Sequence, residues 1–306
     1  MPAEAVHLSA LEDTFADAAL APSWADLELR RCHRLGAVLL DLAYFDGFTR
    51  SVVRYVLRRP VATSPLGDAL HKLDPSRVGA ALLKEAAVLR ARPSSRRDGD
   101  RLLAVGLGFV SHLAVDSRLH PLVNALAGAR ATRLGDHAAR QHSEVEKFHS
   151  ILFHEARLGF DFMGSDRIAA YIGVDGGALG GFIGDAYGRA IASVHGCAPT
   201  RATMLRWVRG YGRYARLLAS FVGGRIMPRA TKDEVRAEVY DDAGFVAHYG
   251  EAVARSRAYV EAALGLAVGA DEASYHRVVL PGSIDDPPGA TDRERGAGVP
   301  GRFRVP

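Results

Sequence analysis

Apolar residues recur roughly every three to four positions along most of the chain, which is the period of an amphipathic helix. The run LELRRCHRLGAVLLDLAYF predicts one helix from about Leu27 to Tyr44. SRVGAALLKEAAVLRAR follows Pro75, a residue suited to the first helical position, and predicts another. DRLLAVGLGFVSHLAVDSRLH is apolar nearly all round, so it predicts a buried central helix, ending at Pro121 because proline lacks the amide donor. DHAARQHSEVEKFHSILFHEARLGF predicts the next long helix, with Asp136 as its N-cap. Further segments read as helix from about Asp166 to Ile172, Gly180 to Val194, Thr200 to Val222, Lys232 to Tyr240 and Phe245 to Leu266. The glycines of GVDGGALGGFIG mark a break or a close helix packing. Few runs alternate as strands do. The predicted fold is all-α, a multi-helix bundle.

The chain has 306 residues, enough for one large core, and no composition shift divides residues 1–280. A single domain is expected there. Residues 281–306, PGSIDDPPGATDRERGAGVPGRFRVP, are rich in Pro, Gly and charge and predict a flexible tail. The net charge of +4 is small for this length and does not argue for nucleic acid. Cys32 and Cys197 lack a CxxC neighbour and read as small apolar residues rather than as a disulfide framework or a zinc ligand set. The N-terminal stretch MPAEAVHLSALEDTF lacks a basic segment followed by an apolar run. No window reaches about 18 uncharged apolar residues. A cytoplasmic location is expected.

The chemistry-bearing residues lie on helical spacing. GFVSHLAVDSRLHP sets His112, Asp116 and His120 at successive steps of four, and HSEVE sets His142 and Glu146 at the same step. Four residues is close to one helical turn, so each set projects from one side of its helix. Imidazole nitrogen with carboxylate oxygen, and no thiol, suits zinc in a hydrolytic site. Asp41 follows an apolar run on a helix that reads as buried, where an unpaired carboxylate is costly and a metal would partner it. His7 and His71 are further histidines placed ahead of these motifs. His149, one turn beyond Glu146, is a spare ligand or a supporting partner; the other histidines have no matching spacing.

In their order these pieces resemble the bacterial zinc-dependent phospholipase C family, which includes the catalytic domain of GPI-specific phospholipase D. The matching elements are His7, then GAVLLDLAYF with Asp41, then His71, then GFVSHLAVDSRLHP, then HSEVE, over about residues 1–160; additional helices fill about 161–280. The resemblance implies a phospholipase C-like all-α bundle with a metal cleft between helices and two to three zinc ions. Asp41, His71, His112 and Asp116 would hold one. His120, His142 and Glu146 would hold a second. A third would use His7, a bridging Asp116 and the chain's own N-terminal amine. The implied reaction is hydrolysis of a phosphodiester, a phospholipid or another phosphate ester, with a zinc-activated water and with Asp41 as general base.

Other readings stay open. A nuclease or nucleotidase uses a similar three-zinc helical site, although no nucleic-acid partner is expected from the charge. A helical protein could also keep metals for stability or bind a lipid headgroup without turnover. In LRWVRGYGRYARLLASF, Arg206, Arg209, Arg213 and Arg216 share a helical face. This reads first as the solvated side of a packed helix and second as a peripheral contact with an anionic membrane. Neither a Walker phosphate loop nor a G-x-S-x-G nucleophile elbow is present, which argues against ATP-driven and serine-based chemistry.

Overall fold

The computed structural model describes residues 4–16, 22–56, 64–159, 163–221, 223 and 229–279, and the predicted tail lies outside them. The fold is all-α, and the described residues contain no strand. The helices are α1 (Glu4–Phe15), α2 (Leu27–Leu39), α3 (Phe48–Val56), α4 (Pro65–Lys72), α5 (Pro75–Arg90), α6 (Arg96–Leu134), α7 (Ala138–Leu158) and α8 (Asp166–Ile172). They continue with α9 (Phe182–His195), α10 (Arg201–Ala219), α11 (Arg229–Val235), α12 (Phe245–Ala267) and α13 (Glu272–Val278). A short 3-10 turn, Asp41–Phe45, joins α2 to α3, and a π-helical turn, Arg236–Asp241, follows α11.

Local chemistry explains several boundaries. Asp26 opens α2 by accepting hydrogen bonds from the Glu28 and Leu29 amides, and Ser64 opens α4 by accepting from Gly67 N, with Pro65 at the first position. Thr200 caps α10 through Thr203 N. Gly135, Gly159 and Gly196 end α6, α7 and α9 with positive φ, the left-handed backbone that glycine adopts without strain.

Helix α6 is the axis of the molecule. It packs against α1, α2, α5, α7 and α12, and its residues from Leu102 to Asp116 are all buried. It is long and apolar enough to cross a membrane by composition, but its apolar window is 89% buried inside the protein, as in a core helix. Two glycines set how close α2 comes. A Cβ on Gly108 would stand 2.0 Å from the His33 carbonyl oxygen, and one on Gly36 would stand 2.1 Å from that of Val105. Only hydrogen at both positions lets the two backbones touch.

Several predicted boundaries move. The helix expected from Leu27 to Tyr44 ends at Leu39, so Asp41 begins the 3-10 turn. Asp136 does not cap α7; His137 occupies the cap position without a side-chain bond, while Asp136 accepts from His137 N and from Gln141 Nε2. The segment expected from Lys232 to Tyr240 begins at Arg229 and turns π-helical at Arg236. The segment expected to reach Val222 ends at Ala219, and Val222 itself lies outside the described residues.

Helix α6 also does not stop at Pro121 but runs through it to Leu134. Proline removes the amide that would bond the Ser117 carbonyl one turn earlier. Arg255 of α12 takes over that carbonyl at 3.4 Å and the Ser117 hydroxyl at 3.1 Å. The sequence rule failed because a partner distant in sequence satisfies the freed acceptor.

Overpacking at the α2–α6 crossing should be costly. Gly108→Val is expected to lower stability by about 1–3 kcal/mol or more, read as a drop in Tm. An unchanged Tm would show that the close backbone approach does not matter.

Candidate metal centre

Five elements deliver the eight residues singled out in the sequence. Helix α6 supplies His112 and Asp116 from its buried face and His120 one turn on. Helix α1 supplies His7, α4 supplies His71 in its last turn, and α7 supplies His142 and Glu146. The 3-10 turn supplies Asp41 at its first position.

The ligand atoms converge. They form three groups, each within 4.8 Å: His7 with His112 and Asp116; Asp41 with His71 and His112; and His120 with His142 and Glu146. Asp116 links the groups. Its Oδ1 is 3.1 Å from His7 Nε2 and 3.6 Å from His120 Nε2, and its Oδ2 is 2.9 Å from His112 Nε2 and 3.9 Å from His71 Nε2. Asp41 Oδ1 lies 3.2 Å from His71 Nε2, and Glu146 Oε1 lies 3.2 Å from His142 Nε2 and 3.6 Å from His120 Nε2. The grouping differs in one respect from that implied by the resemblance. Asp116 falls with His7 and His112, while His112 is shared between that group and Asp41 with His71. The N-terminal amine expected as a third-site ligand lies outside the described residues.

The orientation of the histidines tests whether these residues suit a cation. His71 Nδ1 meets the Gly67 carbonyl at 2.8 Å, His112 Nδ1 meets the Ala37 carbonyl at 2.8 Å, and His142 Nδ1 meets Asn124 Oδ1 at 2.9 Å. Each acceptor takes the Nδ1 proton, so each neutral ring presents a bare Nε2 lone pair to the cluster. Those lone pairs face carboxylate oxygens across about 3 Å. Two acceptors at that distance repel unless a proton or a metal cation lies between them. The contact of His112 Nε2 with Asp116 is near without hydrogen-bond geometry, leaving that nitrogen without a hydrogen-bond partner. The outer bonds thus aim the inner nitrogens, the arrangement usual behind metal-ligating histidines.

Burial sharpens the electrostatics. His7, His71, His112 and Asp116 are 4% exposed or less. Burial would raise the Asp116 pKa, but His112, His120 and His7 outweigh it and hold the carboxyl well below its usual range. Burial likewise favours the neutral form of Glu146, and charged neighbours including His142 and His120 reverse this. For His112, burial pulls the pKa down while Asp116 and Asp41 lift it to about 9. His7 is pushed down by burial and by the charge on His112, its ring stacked 3.9 Å from the His112 ring. Without a cation, protons on imidazole do the neutralising.

His149 belongs to none of these groups. Its Nε2 meets the Val239 carbonyl at 2.6 Å and its ring stacks on Phe245, a packing role. His33 meets Ser23 Oγ, and His154 lies between Ser9 Oγ and the Ser150 carbonyl. Glu4, one turn before His7, carried no sequence signal beyond that spacing. It is 1% exposed, it accepts from Tyr214 at 3.5 Å, and burial with the nearby Asp41 carboxylate pushes its pKa up to about 8. A cavity of about 380 Å³ lies elsewhere, between α2, α6 and the start of α9, and includes none of the eight residues.

The chain matches no protein-family model, no curated protein and no solved structure.

Binding of a divalent cation should release protons, because His112 is protonated below about pH 9 and a cation needs its Nε2 lone pair. Zinc added to metal-free protein in weak buffer near neutral pH should acidify the solution. Apparent affinity should fall as pH falls, by about tenfold per unit for each proton displaced. Uptake without proton release would contradict a His112 ligand. Asp116→Asn should weaken uptake at the group it forms with His7 and His112, read by titration of bound metal.

Proposed function

We propose that this chain is a metal-dependent phosphodiester hydrolase, using two to three zinc ions and acting on a phospholipid or another phosphate ester. The observation that supports it best is the convergence of the eight histidine and carboxylate side chains, with three inner nitrogens aimed by outer hydrogen bonds. Mixed nitrogen and oxygen donors without thiols suit zinc in a hydrolytic setting. When bound, clustered divalent cations neutralise phosphoryl charge and generate a nucleophile from water at neutral pH.

The protein groups divide the work. Asp116, almost wholly buried, fixes the spacing of the cluster by standing between imidazoles from α1, α4 and α6. Asp41 is more accessible, with its side chain 14% exposed, and it is held ionised: burial is outweighed by His112 and His71. An ionised, reachable carboxylate can accept a proton from water, so Asp41 is assigned as general base. His120 and His142 form the more open end, at 17% and 27% exposure, where an anionic substrate has access.

Zinc-loaded protein should hydrolyse bis-p-nitrophenyl phosphate or phosphatidylcholine, and Asp41→Asn should lower kcat on the order of 10²-fold or more. Loss of all diester hydrolysis in metal-loaded wild-type protein would overturn the hydrolase reading. An unchanged kcat in Asp41→Asn would remove Asp41 as the base. Preference for single-stranded DNA over both other substrates would favour a nuclease of similar design.

A further inference from the structure

We propose that the joint outer face of α3 and α10 docks on an anionic lipid surface. The two helices pack against each other: Arg213 of α10 donates to the Thr49 hydroxyl of α3 at 3.3 Å, and the Phe48 and Tyr214 rings meet edge to face. Together they carry seven arginines, Arg50, Arg54, Arg201, Arg206, Arg209, Arg213 and Arg216, and no Asp or Glu. The local charge exceeds the +4 of the whole chain. The face is a concentrated positive patch on an otherwise balanced surface.

Three of the seven arginines are available to a partner. Arg206 pairs with Asp46, and Arg201 with Asp185. Arg50, Arg209 and Arg216 are exposed and have no carboxylate partner among the described residues. Exposed apolar groups sit on the same two segments: Val53 of α3 is 52% exposed, and Phe221, just beyond α10, is 70% exposed. Guanidinium groups interleaved with protruding apolar side chains match an interface of anionic headgroups over acyl chains.

A nucleic acid is a poorer fit. Single strands bind to series of exposed stacking rings, whereas Trp207, Tyr211 and Tyr214 of α10 are 8% exposed or less, which leaves Phe221 as a lone exposed ring on this segment among the described residues. The inner side of α10 packs on the turn that carries Asp41, so the thickness of one helix separates a lipid surface held here from that turn.

The test is co-sedimentation of the full chain with vesicles of phosphatidylcholine alone and with about 30% phosphatidylglycerol added. Binding is expected only to the anionic vesicles and should weaken with salt. Arg209→Gln with Arg216→Gln should reduce it roughly 30-fold, at about 1 kcal/mol per charge near such a surface. Arg50→Gln with Arg213→Gln should act alike, which guards against a folding defect in either pair. Arg92→Gln with Arg96→Gln, an equal charge change at the junction of α5 with the start of α6, should leave binding intact. Equal binding to both vesicles, or equal loss in all three variants, overturns the proposal, as does retention of single-stranded DNA without vesicle binding. Sedimentation needs no turnover, so the result is independent of the hydrolase reading, which hydrolysis of the soluble diester reads separately.

Discussion

A buried carboxylate at the centre of the molecule constrains what surrounds it. Asp116 is 3% exposed, and a lone carboxylate so placed would cost several kcal/mol. It is tolerated because imidazoles reach it from three elements: His7 from α1, His71 from α4, and His112 and His120 from α6 itself. The histidines are constrained in turn. His112 needs the Ala37 carbonyl, which requires α2 to lie against α6, which requires glycine at positions 36 and 108. The crossing of two glycines and the orientation of one imidazole are thus parts of one arrangement.

Much of this was legible in the chain. Helical period gave the all-α class, and the step of four put His112, Asp116 and His120 on one side of α6 and His142 with Glu146 on one side of α7. Asp41 was legible as an acid with nowhere apolar to go. What was not legible shares a cause: it depends on backbone groups or on partners distant in sequence. The carbonyls of Gly67 and Ala37 that orient His71 and His112 leave no residue signature. The passage of α6 through Pro121 depends on Arg255, a residue 138 positions from Ser117. Glu4 was missed because one acid near an N-terminus looks like any solvated charge until burial is known.

Helix α10 shows how one element serves two environments. Its aromatic side seals the turn that bears Asp41, with Phe45 held between Tyr211 and Tyr214. Gly210 lets the backbones meet, since a Cβ there would stand 2.1 Å from the Phe45 carbonyl oxygen. Its outer side carries only arginine among charged residues. The same close packing that fixes Asp41 also sets the positive face beside it.

The eight side chains are proposed to form a metal centre rather than a network of protonated imidazoles. Elemental analysis of gently purified protein, repeated after dialysis against zinc and on Asp116→Asn, tests it most directly. At least two zinc ions per chain are expected in the wild type and markedly fewer in the variant. A folded wild-type protein that holds no zinc after reloading would contradict the claim and leave the buried charges balanced by protons alone.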